Sequence, residues 1–134
     1  MRTSLIVYGN PVAQARPKFA RQGKFVRCYD PEKSRSFKET VKWQAIEQKA
    51  VMLTGALEMW LIFYLQRPKS LPKKVVFHTK KPDLDNLVKI IKDALEGICY
   101  ANDSQISLSR EEKLYSDKPR VEILIIEREG ISYV

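Results

Sequence analysis

The sequence predicts an α/β (α+β) fold in a single domain, residues 1–134, with a mixed sheet of about four strands packed on two main helices. Three observations predict it. Strand-length apolar runs are interleaved with two stretches of helical periodicity. Two loops rich in proline and basic residues separate these elements. A chain of 134 residues, 44% of them hydrophobic, is of ordinary size for one domain with one core.

In chain order, Ser4–Tyr8 reads as the first strand. Residues 18–29, with Gly23 near the middle and Phe19, Phe25 and Val26 around it, read as a hairpin. Asp30 has the chemistry of an N-cap and Pro31 that of a first helical residue, opening a helix that runs to about Met52. Phe37, Val41, Ala45 and Met52 form one stripe of that helix, and Trp43, Ile46 and Ala50 lie nearly opposite. One face is expected to meet the sheet; the other meets either a second subunit or a corner of the fold. Leu57–Leu65 is apolar on both pleat faces except at Glu58, which predicts a central strand covered on both sides. Leu84, Leu87, Val88, Ile91, Leu95 and Ile98 mark the core stripe of a second helix, with Gly97 as its stop signal. Asp85, Lys89, Lys92, Asp93 and Glu96 lie on the other side of it. Two strands close the chain, one around Ile106 and Leu108 and one at Val121–Ile126.

The net charge of +8 and the pI near 9.5 favour an anionic partner. The charge is concentrated. Arg16, Lys18, Arg21, Lys24 and Arg27 occupy one acid-free stretch, and Arg67, Lys69, Lys73, Lys74, Lys80 and Lys81 another. Basic loops on an otherwise balanced scaffold suit a phosphate backbone, whose condensed counterions they displace; a solubilising surface is the other reading. No run approaches the roughly 18–20 apolar residues of a membrane span, and no signal-peptide pattern follows Met1, so a cytoplasmic protein without membrane contact is expected. Cys28 and Cys99 lack CxxC spacing or histidine partners and are expected to be reduced, partly buried thiols.

The chemistry turns on Asp83-Leu84-Asp85, where the second basic loop gives way to the second helix. Asp85 reads in two ways. It is a natural N-cap, accepting from the amide of Leu87 or Val88 with Asp83 solvated. Alternatively, Asp83 and Asp85 converge on a Mg²⁺, which takes hard oxygen ligands and commonly only one or two carboxylates. Lys89 lies one turn along on the face of Asp85, in reach of a phosphoryl oxygen or simply as an i,i+4 ion pair. Asp103 in Tyr100-Ala101-Asn102-Asp103-Ser104 is a turn residue by composition.

Lys81-Pro82-Asp83-Leu84-Asp85-Asn86-Leu87, then Lys89, Asp93-Ala94-Leu95 and Asn102-Asp103-Ser104-Gln105-Ile106, resembles the core signature of the RusA-type Holliday-junction resolvases. Gly9-Asn10-Pro11-Val12 and Gln14-Ala15-Arg16-Pro17-Lys18 resemble that family's first strand and basic loop, so the resemblance covers most of the chain. It implies a RusA-like homodimer that binds four-way DNA junctions and, with Mg²⁺ or Mn²⁺ in its place, makes paired symmetric nicks. Asp83, Asp85 and Asp103 match the family's metal-binding carboxylates and Lys89 its essential lysine. The sequence departs at Asn102, where members often carry a second acid.

On that reading Asp83, Asp85 and Asp103 hold the metal that activates water, and Lys89 neutralises charge in the transition state. Arg16, Lys18, Arg21, Lys24, Lys80 and Lys81 are the candidate phosphate contacts. Phe77 is expected to anchor its loop, with stacking on a base as the alternative, and His78 to lie at the surface. A helix over 86–98 is about 20 Å long, whereas the five residues onward to Asp103 return at most about 17 Å. A site shared across the dimer is one way to close that gap. The competing functional class is a basic nucleic-acid-binding module without catalysis; a nucleotide phosphohydrolase ranks third, since no Walker-type loop or histidine cluster is present and no nucleotide cofactor is expected.

Overall fold

The computed structural model describes residues 1–15, 18–29 and 31–130, with backbone only for 18–20, 22 and 25–29. Four strands form one sheet: β1 (Arg2–Tyr8), β4 (Leu57–Gln66), β5 (Ile106–Ser116) and β6 (Arg120–Glu127), in the order β1-β6-β4-β5. β2 (Lys18–Gln22) and β3 (Phe25–Tyr29) make the separate antiparallel hairpin. β6 is antiparallel to both of its neighbours, whereas β4 and β5 are parallel, so the sheet is mixed as expected. A parallel pair needs a long crossover. The chain between β4 and β5 supplies it with the second basic loop and α2 (Leu84–Leu95).

β4 is central, and its alternation is sharp: Leu57, Met59, Leu61, Phe63 and Leu65 are buried, while Glu58, Trp60, Ile62 and Tyr64 are not. The expectation of cover on both sides is therefore corrected. Phe37, Val41 and Ala45 of α1 (Glu32–Glu47) and Leu87, Ile90, Ile91, Ala94 and Leu95 of α2 join the buried face in one core. The other face is a shallow apolar depression of about 690 Å³, floored by Ile6, Trp60, Ile62 and Leu124. The apolar residues that suggested a second covering layer line that depression.

α1 ends at Glu47, five residues before the expected end at Met52. The stop is a Schellman motif. Ala50 N–H donates to Ala45 C=O and Lys49 N–H to Ile46 C=O, both at 3.0 Å, with Lys49 in the left-handed region at φ 60°. Glycine usually fills that position, and its absence hides the stop from the sequence. Pro31 occupies the N-cap place, one residue later than expected; Asp30 lies outside the described residues. Trp43 and Ile46 stay exposed on the outer face of α1, at 69% and 58%.

Gln44 of α1 and Gln48 at its C-cap cover the C-terminal half of the outer edge of β1. Gln44 accepts from Tyr8 N–H (2.8 Å) and donates to Tyr8 C=O (3.1 Å), and Gln48 does the same with Ile6 at 2.9 and 2.6 Å. Each amide thus completes a backbone pair that the sheet leaves open.

Candidate active site

α2 starts two residues earlier than the sequence suggested. Asp83, extended at φ −69° and ψ 144°, is the N-cap residue, and Leu87 N–H reaches its main-chain carbonyl at 3.2 Å. Its side chain makes no capping hydrogen bond. Asp85 sits in the first turn, where its Oδ1 accepts from the adjacent Asn86 N–H at 2.9 Å. The capping role foreseen for Asp85 is thereby overturned. Both aspartates stay exposed, with carboxylate oxygens available to a ligand.

The other end of α2 brings Asp103 back. The helix stops at Leu95, Glu96 is extended and Gly97 has φ +87°, a conformation that glycine adopts without a Cβ penalty. Gly97 N–H bonds to Tyr100 C=O at 2.7 Å, and the Tyr100 hydroxyl donates to Lys92 C=O at 2.6 Å, folding the chain tightly beneath the helix. Burial pushes the neighbouring Cys99 thiol up to about 11, so this free cysteine stays protonated; the side chain of Cys28 lies outside the described residues.

A short 3₁₀ turn, Asp103–Gln105, follows. Asn102 caps it, accepting from Ser104 N–H at 2.9 Å, while Gln105 Oε1 accepts from Asn102 N–H and Ala101 N–H at 3.0 Å. The side chain at the position where the sequence departs from the family signature is thus spent on the turn. Asp103 N–H donates to Glu96 Oε1 at 2.9 Å.

Asp85, Lys89 and Asp103 line one cleft of about 720 Å³ within a single chain, together with Leu84, Val88, Lys92, Asp93 and Glu111. Because the helix ends three residues before Ile98, the return that looked too short closes without a second subunit. Asp83 stands at the head of α2 but is not among the lining residues. Sequence reasoning missed Asp93 and Glu111 as site residues. Asp93 shares the outer stripe of α2 with Asp85 and Lys89, a signal that was in view; Glu111 reaches the cleft from β5 and carries no local signal.

Hard carboxylate oxygens in an open cleft suit Mg²⁺, which keeps several waters and needs few protein ligands. Among the described residues no three Asp, Glu, His or Cys side chains stand close enough together to enclose an ion. The donor set therefore fits a hydrated cation shared with a substrate phosphate better than a buried structural metal.

Of the candidate phosphate contacts, Arg21, Lys24, Lys80 and Lys81 are exposed; Arg16 and the side chain of Lys18 lie outside the described residues. Arg67 turns inward instead. Its Nη1 donates to Pro72 C=O (2.9 Å) and Val75 C=O (2.7 Å), with the guanidinium 5.7 Å from the centre of the Tyr115 ring. His78 corrects the surface expectation: it is buried against Tyr115, ring centres 4.7 Å apart. Burial, and secondly the Lys113 charge, hold its pKa below the usual value of 6.5. Phe77 does not anchor the loop, since its side chain is 67% exposed and only its backbone bridges to Leu114.

The family model for the endodeoxyribonuclease RusA matches residues 8–126. This chain belongs to the RusA endodeoxyribonuclease family. It is also similar to the uncharacterized protein YqaN of Bacillus subtilis (strain 168), 39% identical over 132 residues that cover 90% of this chain and 93% of YqaN. The RusA match spans both basic segments, the aspartate pair and the turn of Asp103, so every candidate site residue falls inside it. Among the described residues of this RusA-family chain, no helix is long and apolar enough to cross a membrane.

Proposed function

We propose that this RusA-family chain is a Mg²⁺-dependent, structure-specific endonuclease that binds four-way DNA junctions and resolves them by paired symmetric nicks, with Mn²⁺ able to substitute. The observation that carries the reading is the convergence of Asp85, Lys89 and Asp103 on one cleft in a chain of an endodeoxyribonuclease family. Asp85 and Asp103 would hold the cation, with Asp83 reaching it from the helix start. When bound, Mg²⁺ supplies a more acidic water and charge neutralisation at the phosphate.

The chain's own groups do the rest. Lys89 keeps an ammonium on the cleft wall where a phosphoryl oxygen gains negative charge, a preorganised interaction that strengthens in the transition state. Arg21, Lys24, Lys80 and Lys81, with Arg16 and Lys18 from the sequence, position the backbone without reading bases. The exposed Phe77 ring is available to stack on an unpaired base at the crossover.

Paired cuts need two sites, which a two-fold homodimer provides. We assign the second copy to the open sheet face. Its apolar floor is ringed by Arg110 and by Glu112 and Glu122, so the face carries both signs and can complement itself about a two-fold axis. Trp60→Glu should convert the dimer to monomer in analytical ultracentrifugation; a wild-type chain that sediments as a monomer removes the assignment. The activity belongs to recombination, repair or phage and prophage DNA processing in the cytoplasm.

The test is nicking of a synthetic immobile junction against linear duplex, in Mg²⁺ or EDTA, with wild type and Asp85→Asn. Metal-dependent symmetric nicks confined to the junction, lost in a variant that still binds, are expected. Tight binding without nicks in either metal would favour a non-catalytic DNA-binding module, the reading to which the position of Asp83 outside the cleft lining lends weight.

A further inference from the structure

Lys113 is not among the cleft residues, yet it makes three hydrogen bonds to the loop that delivers Asp83 and Asp85. Its ammonium donates to Lys80 C=O at 2.8 Å and to Pro82 C=O at 2.9 Å, and its own main-chain carbonyl accepts from His78 N–H at 3.3 Å. Pro82 immediately precedes Asp83. The lysine is partly buried, and among the described residues it has no carboxylate partner, so its charge is directed at two backbone carbonyls. Charge-assisted bonds of this length are stronger and more directional than neutral ones.

The platform beneath it is rigid. Lys113 pairs with Phe63 of the central strand, and Phe63 is fully buried. A side chain rooted in the sheet thus holds the last residues of a largely exposed basic loop, at the point where that loop becomes the N-terminus of α2.

We propose that Lys113 is a positioning residue that fixes the backbone at Lys80–Pro82 and thereby sets where the Asp83 and Asp85 carboxylates present themselves. The proposal rests on the nuclease reading for its catalytic consequence, though not for the clamp itself. Partners that orient ligating side chains from behind commonly matter by about 10–100-fold in metal affinity or activity.

Lys113→Met keeps the stem and removes the donors. In metal-free protein, amide hydrogen exchange over residues 83–87 should quicken by about 10-fold relative to the rest of α2, while the buried strands exchange as in wild type. Mn²⁺ affinity, measured by calorimetry, should fall by about 10-fold or more, and junction nicking at saturating DNA by about 10–100-fold. Lys113→Arg should recover part of all three. Arg67→Met, which frees the far end of the same loop, is the control and should leave exchange at 83–87 and Mn²⁺ affinity at wild-type values.

Unchanged exchange and Mn²⁺ affinity in Lys113→Met would overturn the proposal, as would equal losses in Arg67→Met, which would mean that any loosening of the loop suffices. A wild type that neither binds Mn²⁺ nor nicks junctions would sink the nuclease reading alone, and the exchange measurement would still decide the clamp.

Discussion

The two edges of the sheet are treated in opposite ways. On β1, the Gln44 and Gln48 amides occupy the free backbone groups of Ile6 and Tyr8. On β5, loop residues cover only the C-terminal half, through His78 N–H to Lys113 C=O and Tyr115 N–H to Val76 C=O, and the preceding stretch runs beside the cleft that takes in Glu111. An exposed strand edge invites unwanted pairing. The first edge is covered at Ile6 and Tyr8 by side chains that line no cleft, and the second is left accessible where the chemistry is proposed. Stability and function are thus assigned to different ends of one sheet, and substitutions should separate them.

The largest effects belong to the β5 side. Asp103→Asn should reduce junction nicking by at least about 10²–10³-fold, and Lys89→Met by about 10²-fold, with thermal stability near wild type and binding kept in EDTA. Quantitative cleavage assays with parallel melting curves would check both. On the β1 edge the pattern should invert. Replacing both Gln44 and Gln48 with Ala should cost about 1–3 kcal/mol in urea denaturation, at about 0.5–1.5 kcal/mol per lost bond for the bonds that water does not replace, and should promote aggregation. The nicking rate per folded molecule should not change.

A pH measurement sharpens the contrast further. His78 is part of the second basic loop, its ring packed on Tyr115 and its folded-state pKa depressed below 6.5 by burial and by Lys113. The unfolded chain therefore binds a proton more readily than the native state as pH drops below that value, so stability is full above about 6.5 and declines as pH falls toward the folded pKa. The fall in Tm between pH 7 and pH 5.5 should shrink in His78→Gln. The smallest effect returns to α1: Lys49→Gly, which relieves a left-handed residue at the end of the helix that holds the β1 edge, should stabilise by about 0.5–1 kcal/mol in the same urea assay.

Much of this architecture was legible in local chemistry. The stripe from Leu84 to Leu95 announced α2, the Gly97 stop was visible, Gly23 marked the hairpin turn, and the apolar run at 57–65 marked the central strand. The signals failed where local chemistry is silent or ambiguous. Nothing in a lysine at position 49 advertises a helix end. Ile62 and Trp60 read as buried because a strand that is apolar on both faces looks the same whether the second layer is its own chain or something outside it. The aspartate pair stood out as a candidate, but a helix start two residues earlier than expected made Asp83, rather than Asp85, the N-cap residue. Glu111 and the burial of His78 depend on β5 meeting segments far away in sequence, which no short window records.

Gln105 has a further consequence. Its amide spans two segments, with Oε1 holding the turn that bears Asp103 and Nε2 donating to Gly55 C=O at 3.1 Å, 50 residues away in sequence and just ahead of β4. Asp103 therefore takes its place in the cleft together with the parallel pairing of β4 and β5 across the whole intervening crossover. Contacts of such sequence separation close late and slowly during folding. The cleft thus depends on a long-range step, so a nascent or partly folded chain that already displays its basic loops lacks the arrangement proposed for cutting.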